Sequence, residues 1–95
     1  ITGGGLTDNI PRILPEGTAV KIEPGSWPVL PIFELFRRLG NVSDSEMFRT
    51  FNMGIGMVIV CSAANAAIIK THFESFGDAY YEIGKVIAGN REVII

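Results

Sequence analysis

Between Met53 and Ile69 the chain carries no charged side chain, and this run constrains the fold more than any other feature. About 17 residues is the shortest stretch that can cross a membrane as a helix. Here Gly54, Gly56, Ser62 and Asn65 interrupt it, so it reads as a strand followed by a helix. Gly56–Cys61 is continuously apolar, as expected of a central strand covered on both faces, and Cys61 belongs to the core on this reading. Ser62 is placed to cap the helix, Gly77 to stop it, and Ile69, Phe73 and Phe76 to face inward.

The remaining elements follow from periodicity and punctuation. Leu6–Leu14 has apolar residues at helical spacing, although Pro11 is tolerable only in a first turn. Thr18–Glu23 alternates and is rich in β-branched residues, which favours a strand. Ile32, Leu35, Phe36 and Leu39 form one helical stripe that starts after Pro28 or Pro31 and ends at Gly40. Ser43-Asp44-Ser45-Glu46 has the capping-box form and opens a short helix carrying Met47, Phe48 and Phe51. Tyr80–Ala88 reads as a strand, and Gly89-Asn90 as a two-residue hairpin turn into a last strand, Arg91–Ile95. This order predicts an α+β fold: an α/β sandwich with helices packed on a mixed or antiparallel sheet, partly ferredoxin-like.

At 95 residues there is room for one domain and no linker. With 47% hydrophobic and 19% charged residues the chain should bury a core, and a domain this small and apolar is expected to leave a face for a partner. It reads as a piece of something larger. A net charge of −2 argues against nucleic acid, whose binders display clustered Lys and Arg. One cysteine allows no internal disulfide and fits a reducing compartment, so the cytoplasm is the expected location. The amino end lacks a basic-plus-apolar signal pattern, and no membrane association is expected.

Thr2-Gly3-Gly4-Gly5 removes every Cβ from the turn before the first helix, which would let backbone amides approach an anion closely. An ordinary flexible turn is the competing explanation. The run is not a Walker loop, because no Gly-Lys-Ser/Thr follows it. Gly54-Ile55-Gly56 leads into a strand and is therefore not a dinucleotide fingerprint, which must follow a strand and open a helix. Arg49-Thr50-Phe51-Asn52-Met53 gathers a cation, a hydroxyl and an amide, yet taken alone helix-end capping plus turn chemistry is the simpler explanation. A single histidine, His72, supports neither a metal cluster nor a triad, and a structural role is expected for it. Trp27 should plug a loop onto the domain or its partner, while Asp44, Glu46 and Glu74 are solvated helix charges. No metal-ligating set is evident, and no residue is assigned a catalytic role.

The string Ile1-Thr2-Gly3-Gly4-Gly5-Leu6-Thr7-Asp8-Asn9-Ile10-Pro11-Arg12-Ile13-Leu14-Pro15 resembles a signature of the phosphoribosylformylglycinamidine cyclo-ligase family, the aminoimidazole ribonucleotide synthetases of purine biosynthesis. Glu46-Met47-Phe48-Arg49-Thr50-Phe51-Asn52-Met53-Gly54-Ile55-Gly56-Met57 is similar to a second signature, and Trp27 with Gly40-Asn41-Val42 also fits. Met53 departs from the pattern, standing where many members have cysteine.

The resemblance implies that residues 1–95 are a partial C-terminal domain of a two-domain enzyme, inactive alone. An N-terminal domain absent here would carry most contacts to ATP and Mg2+ and form the core of a homodimer. It also implies ATP-dependent closure of the imidazole ring of formylglycinamidine ribonucleotide. Thr2, Gly3, Gly4 and Gly5 would then hold a phosphate of substrate or nucleotide, supported by Asn9 and Arg12. Thr50 and Asn52 would shape the cleft wall, and Gly54 and Gly56 would allow close backbone approach. The alternatives are another enzyme of the same ATP-dependent superfamily, such as formylglycinamidine synthetase or selenophosphate synthetase, and a non-enzymatic interaction module.

Overall fold

A computed structural model describes residues 1–95 and has an α+β architecture, with helices stacked on a small mixed sheet. The elements run α1 (Gly5–Asn9), a 3₁₀ turn (Ile10–Ile13), β1 (Thr18–Ile22), α2 (Pro31–Leu39), α3 (Asp44–Thr50), α4 (Ala63–Phe76), β2 (Gly84–Ala88) and β3 (Val93–Ile94). Pro11 breaks the first helical segment in two, because it has no N–H to give and its ring crowds the preceding turn.

β1 lies at the centre of the sheet, antiparallel to β2 on one side and parallel to β3 on the other. This corrects the expected hairpin. The chain leaving β2 does not double back beside it. Instead it crosses the start of β1, where Gly89 N–H donates to the Gly17 carbonyl and Arg91 N–H to that of Thr18. A Cβ on Gly89 would collide with the Ala19 side chain, so the crossover needs glycine at that point. Arg91 takes a left-handed φ of 51° and pins the crossover by donating from Nε to the Leu14 carbonyl at 2.8 Å.

The core joins one face of β1, through Val20 and Ile22, to Leu6, Ile10, Leu14, Trp27, Met47 and Met53. α1 and the 3₁₀ turn lie on the sheet, α3 packs on α1, and α2 packs on α3 through Phe33 and Phe36, which meet Phe51. Ser43 caps α3 by accepting from the Glu46 amide, as its sequence context requires. α2 ends at Gly40 as expected, but the left-handed residue of that turn is Asn41, with φ 48°. All four residues of its stripe, Ile32, Leu35, Phe36 and Leu39, are exposed, Leu39 at 78%.

The second half of the chain departs most from expectation. Gly56–Cys61 is in no strand, and Cys61 is exposed rather than in the core. α4 has the anticipated Ser62 cap and a left-handed Gly77 stop, yet none of its residues is buried. Ile69 and Phe73 are half-buried and Phe76 is exposed. The strand expected from Tyr80 starts only at Gly84. The buried residues therefore all lie between Gly5 and Met53, and none belongs to a covered strand at 56–61. No helix is long and apolar enough to cross a membrane.

A cleft between the glycine turn and the Asn52 turn

The glycine turn is held from both sides. Thr2 N–H donates to the Thr50 carbonyl at 2.8 Å, tying the turn to the end of α3. The Thr2 hydroxyl accepts from the Gly5 amide at 2.8 Å, and Gly4 N–H donates to the Thr2 carbonyl. Two of the three glycine amides are thus committed within the turn. The amides of Gly3, Leu6 and Thr7 make no hydrogen bond inside the chain. Asn9 reaches back with Nδ2 to the carbonyls of Gly3 and Gly5, at 3.2 and 2.8 Å, which leaves its Oδ1 free.

The three glycines serve different purposes. Gly5 has φ 57°, and a Cβ there would run into the Phe48 carbonyl, so glycine is required for α1 to touch α3. Gly4 has φ 111°, and its Cβ would lie 2.6 Å from that of Asp8. Gly3 meets nothing within 4 Å, so no internal contact demands glycine there. Asp8, beside Gly4, faces Arg49 at 3.5 Å, an exposed pair that joins the first helix to α3.

The opposite wall comes from the chain leaving α3. Asn52 Oδ1 accepts from the Gly54 amide at 2.9 Å and closes an Asx turn in which Met53 and Gly54 both have positive φ. The buried Met53 carbonyl accepts from Trp27 Nε1 at 2.9 Å, so the indole plugs its loop onto the domain and sets this turn. Trp27 thus has a clear part in shaping the wall; its place between two prolines offered no hint of the hydrogen bond.

Between these walls is a cleft of about 320 Å³, whose polar lining is Thr2, Asn9 and Asn52, with the backbone of Gly5 and Gly56. Leu6, Ile10, Ile13, Ile55, Met57 and Val58 supply its apolar lining. Five of the ten sequence-designated site residues therefore meet here: Thr2, Gly5, Asn9, Asn52 and Gly56. Gly3, Gly4, Arg12, Thr50 and Gly54 are outside the lining, Gly3 and Arg12 being exposed nearby in sequence and Thr50 acting through its carbonyl. No three His, Cys, Asp or Glu side chains gather at a metal-binding spacing. His72, on α4, is exposed with its ring edge-on to Phe76.

The sequence from Ile1 to Ile95 matches the family model described as AIR synthase related protein, C-terminal domain. The chain belongs to this family. Its AIR synthase-type sequence is 51% identical over 99% of its length to a phosphoribosylformylglycinamidine cyclo-ligase of Brevibacillus brevis, of which it covers 27%. It is 47% identical over 93% of its length to the protein of that name from Methylobacillus flagellatus, covering 25% of it. A third relative of that name, from Geobacillus thermodenitrificans, is 49% identical over 94% of the chain, which covers 26% of that protein. This AIR synthase-related chain thus spans about a quarter of the length of these curated relatives. Both segments that line its cleft lie within the matched residues.

Proposed function

We propose that residues 1–95 are part of the C-terminal domain of an ATP-dependent phosphoribosylformylglycinamidine cyclo-ligase, and that the cleft receives a phosphate-bearing part of its substrate or nucleotide. The observation that carries this reading is convergence: two segments separated in sequence by α2, α3 and β1, Thr2–Ile13 and Asn52–Val58, line one cleft. Its volume is at the small end of the range for small-molecule sites and suits one portion of a nucleotide rather than the whole. The polar groups of Thr2, Asn9 and Asn52 and the uncommitted amides of Gly3, Leu6 and Thr7 would orient the anion, with Arg12 adding positive charge. Gly4 and Gly5 would shape the turn rather than donate to the ligand, and Thr50, Gly54 and Gly56 would set the opposite wall.

In the reaction, phosphoryl transfer from ATP to the formyl oxygen would make phosphate the leaving group. The substrate's own nitrogen would then attack that carbon and close the imidazole ring. Such chemistry calls on the protein for position and charge neutralisation rather than for a nucleophile. No residue of this chain is given a catalytic role. Mg2+ and most contacts to ATP would fall to an N-terminal domain of the longer protein, which would act in the cytoplasm as a homodimer.

The test uses the full-length protein. ATP consumption should depend on formylglycinamidine ribonucleotide, and a folded dimer without that turnover would overturn the reading. Gly3→Asp is the informative variant, since Gly3 has open space around it. A carboxylate there should raise KM by at least about tenfold for whichever partner places its phosphate at the turn. A rise for the ribonucleotide assigns the substrate's phosphate and a rise for ATP the nucleotide's; no rise for either would remove the turn from the site.

A further inference from the structure

Of the three polar side chains that line the cleft, Asn9 alone is held through its donors. Its Nδ2 group commits both hydrogens to backbone, at 2.8 Å to the Gly5 carbonyl and 3.2 Å to that of Gly3. The reverse placement would set Oδ1 against two carbonyl oxygens, so the amide is fixed in this sense. Asn9 therefore offers the cleft Oδ1 alone, an acceptor with no partner in the chain. The other two side chains are committed the opposite way. Thr2 Oγ1 accepts from the Gly5 amide, which leaves its O–H to donate, and Asn52 Oδ1 accepts from the Gly54 amide, which leaves Nδ2 to donate.

These commitments constrain the ligand. A phosphate oxygen can meet Thr2 and Asn52, which present hydrogens, but at Asn9 Oδ1 acceptor would face acceptor. The group at Asn9 must bring its own hydrogen. In a nucleotide the part next to the phosphate is a ribose, whose donors are hydroxyls, and a cleft of about 320 Å³ has room for a phosphate with its sugar. Leu6 and Ile10, in the same lining, suit the carbon face of such a ring. We infer that Asn9 Oδ1 accepts a hydrogen bond from a ribose hydroxyl of the ligand, so that Asn9 orients the anion through its sugar while Thr2 and Asn52 face the phosphate. This deepens the reading of the cleft as a phosphate site and rests on it. Because Asn9 is exposed, water can replace a missing partner, and discrimination against a ligand without the hydroxyl is about 5–10-fold, far below that of a buried site.

The test pairs one change in the protein with one in the ligand, on the full-length enzyme. KM is measured for formylglycinamidine ribonucleotide, for ATP, and for analogues of each lacking either ribose hydroxyl in turn. In the wild type one analogue should raise KM by about 5–10-fold, and in Asn9→Ala the same analogue should raise it by less than about twofold over its parent. Asn9→Ala also releases the Gly3 and Gly5 carbonyls, but that cost falls on parent and analogue alike and cancels in the ratio. An effect on the ribonucleotide assigns the substrate's ribose, and an effect on ATP the nucleotide's. Unchanged KM for every analogue in the wild type, which needs no variant to fold, would overturn the inference, as would a penalty that persists in Asn9→Ala. Either result alongside a raised KM for Gly3→Asp would keep the phosphate at the turn and remove only the sugar contact, whereas a folded full-length protein without turnover would remove both readings.

Discussion

Gly5 rests directly on the carbonyl oxygen of Phe48, leaving no space for a Cβ between α1 and the backbone of α3. This contact fixes the distance between the two walls' supporting helices, and with it the mouth of the cleft. Gly5→Ala must both hold alanine at φ 57° and displace α3, for a cost of about 3 kcal/mol or more. Gly3→Ala meets nothing and should change stability by less than about 0.5 kcal/mol. Denaturant midpoints of the two variants check the contrast, and equal midpoints would refute the packing role assigned to Gly5.

Trp27→Phe removes the donor to the buried Met53 carbonyl while keeping an aromatic ring. The loss of the hydrogen bond and of part of the buried volume should destabilise the domain by about 2 kcal/mol. The effect should extend to the Asn52 turn, seen as faster exchange of the Gly54 amide. A variant with wild-type stability and unchanged Gly54 exchange would show that the indole does not hold this wall.

Gly89→Ala should cost about 1–3 kcal/mol, because its methyl group would occupy the position of the Ala19 side chain. In an Ala19→Gly background the same change should cost at least about 1 kcal/mol less, the signature of a direct contact. Purely additive thermal or denaturant stabilities across the four proteins would contradict the crossover described for β2 and β3.

Tyr80 donates its hydroxyl proton to Glu74 Oε1 at 2.7 Å, which raises its pKa above the ordinary value of 10.0. A raised pKa in the folded chain means the bond stabilises fully below about pH 10 and is lost as pH rises through the higher value. Absorbance at the tyrosinate band should show a step above pH 10 that Tyr80→Phe abolishes and Glu74→Gln moves downward. A high-pH step that survives Tyr80→Phe would assign it elsewhere. Because the bond is exposed to solvent, the accompanying change in stability should be small.

Helix starts and stops were readable wherever a local rule applies: Ser43 and Ser62 accept the expected amides, Pro31 opens α2, and Gly77 closes α4. Thr18–Glu23 was readable as a strand from alternation and β-branched residues, and the strand runs Thr18–Ile22. The two cleft-lining segments were also legible, as sequence motifs, and five of the residues they supply come together. What each glycine does was not legible, since Gly3, Gly4 and Gly5 look alike in sequence and differ only in what a Cβ would strike. Nor was the hydrogen bond from Trp27 to Met53, whose partners are far apart along the chain.

By itself, then, the sequence determined the short-range features: caps, breakers, the periodicity of individual elements, and the motifs that place the chain in its family. Such features depend on side chains within a few residues of one another, and the chain carries that information locally. Tertiary structure alone decided that β3 passes to the far side of β1, that Gly5 bears on Phe48, and that Gly56–Cys61 is left unpaired. Strand neighbours and helix contacts are choices among distant segments, and an apolar run specifies only that it needs a partner, not which one the fold will bring to it.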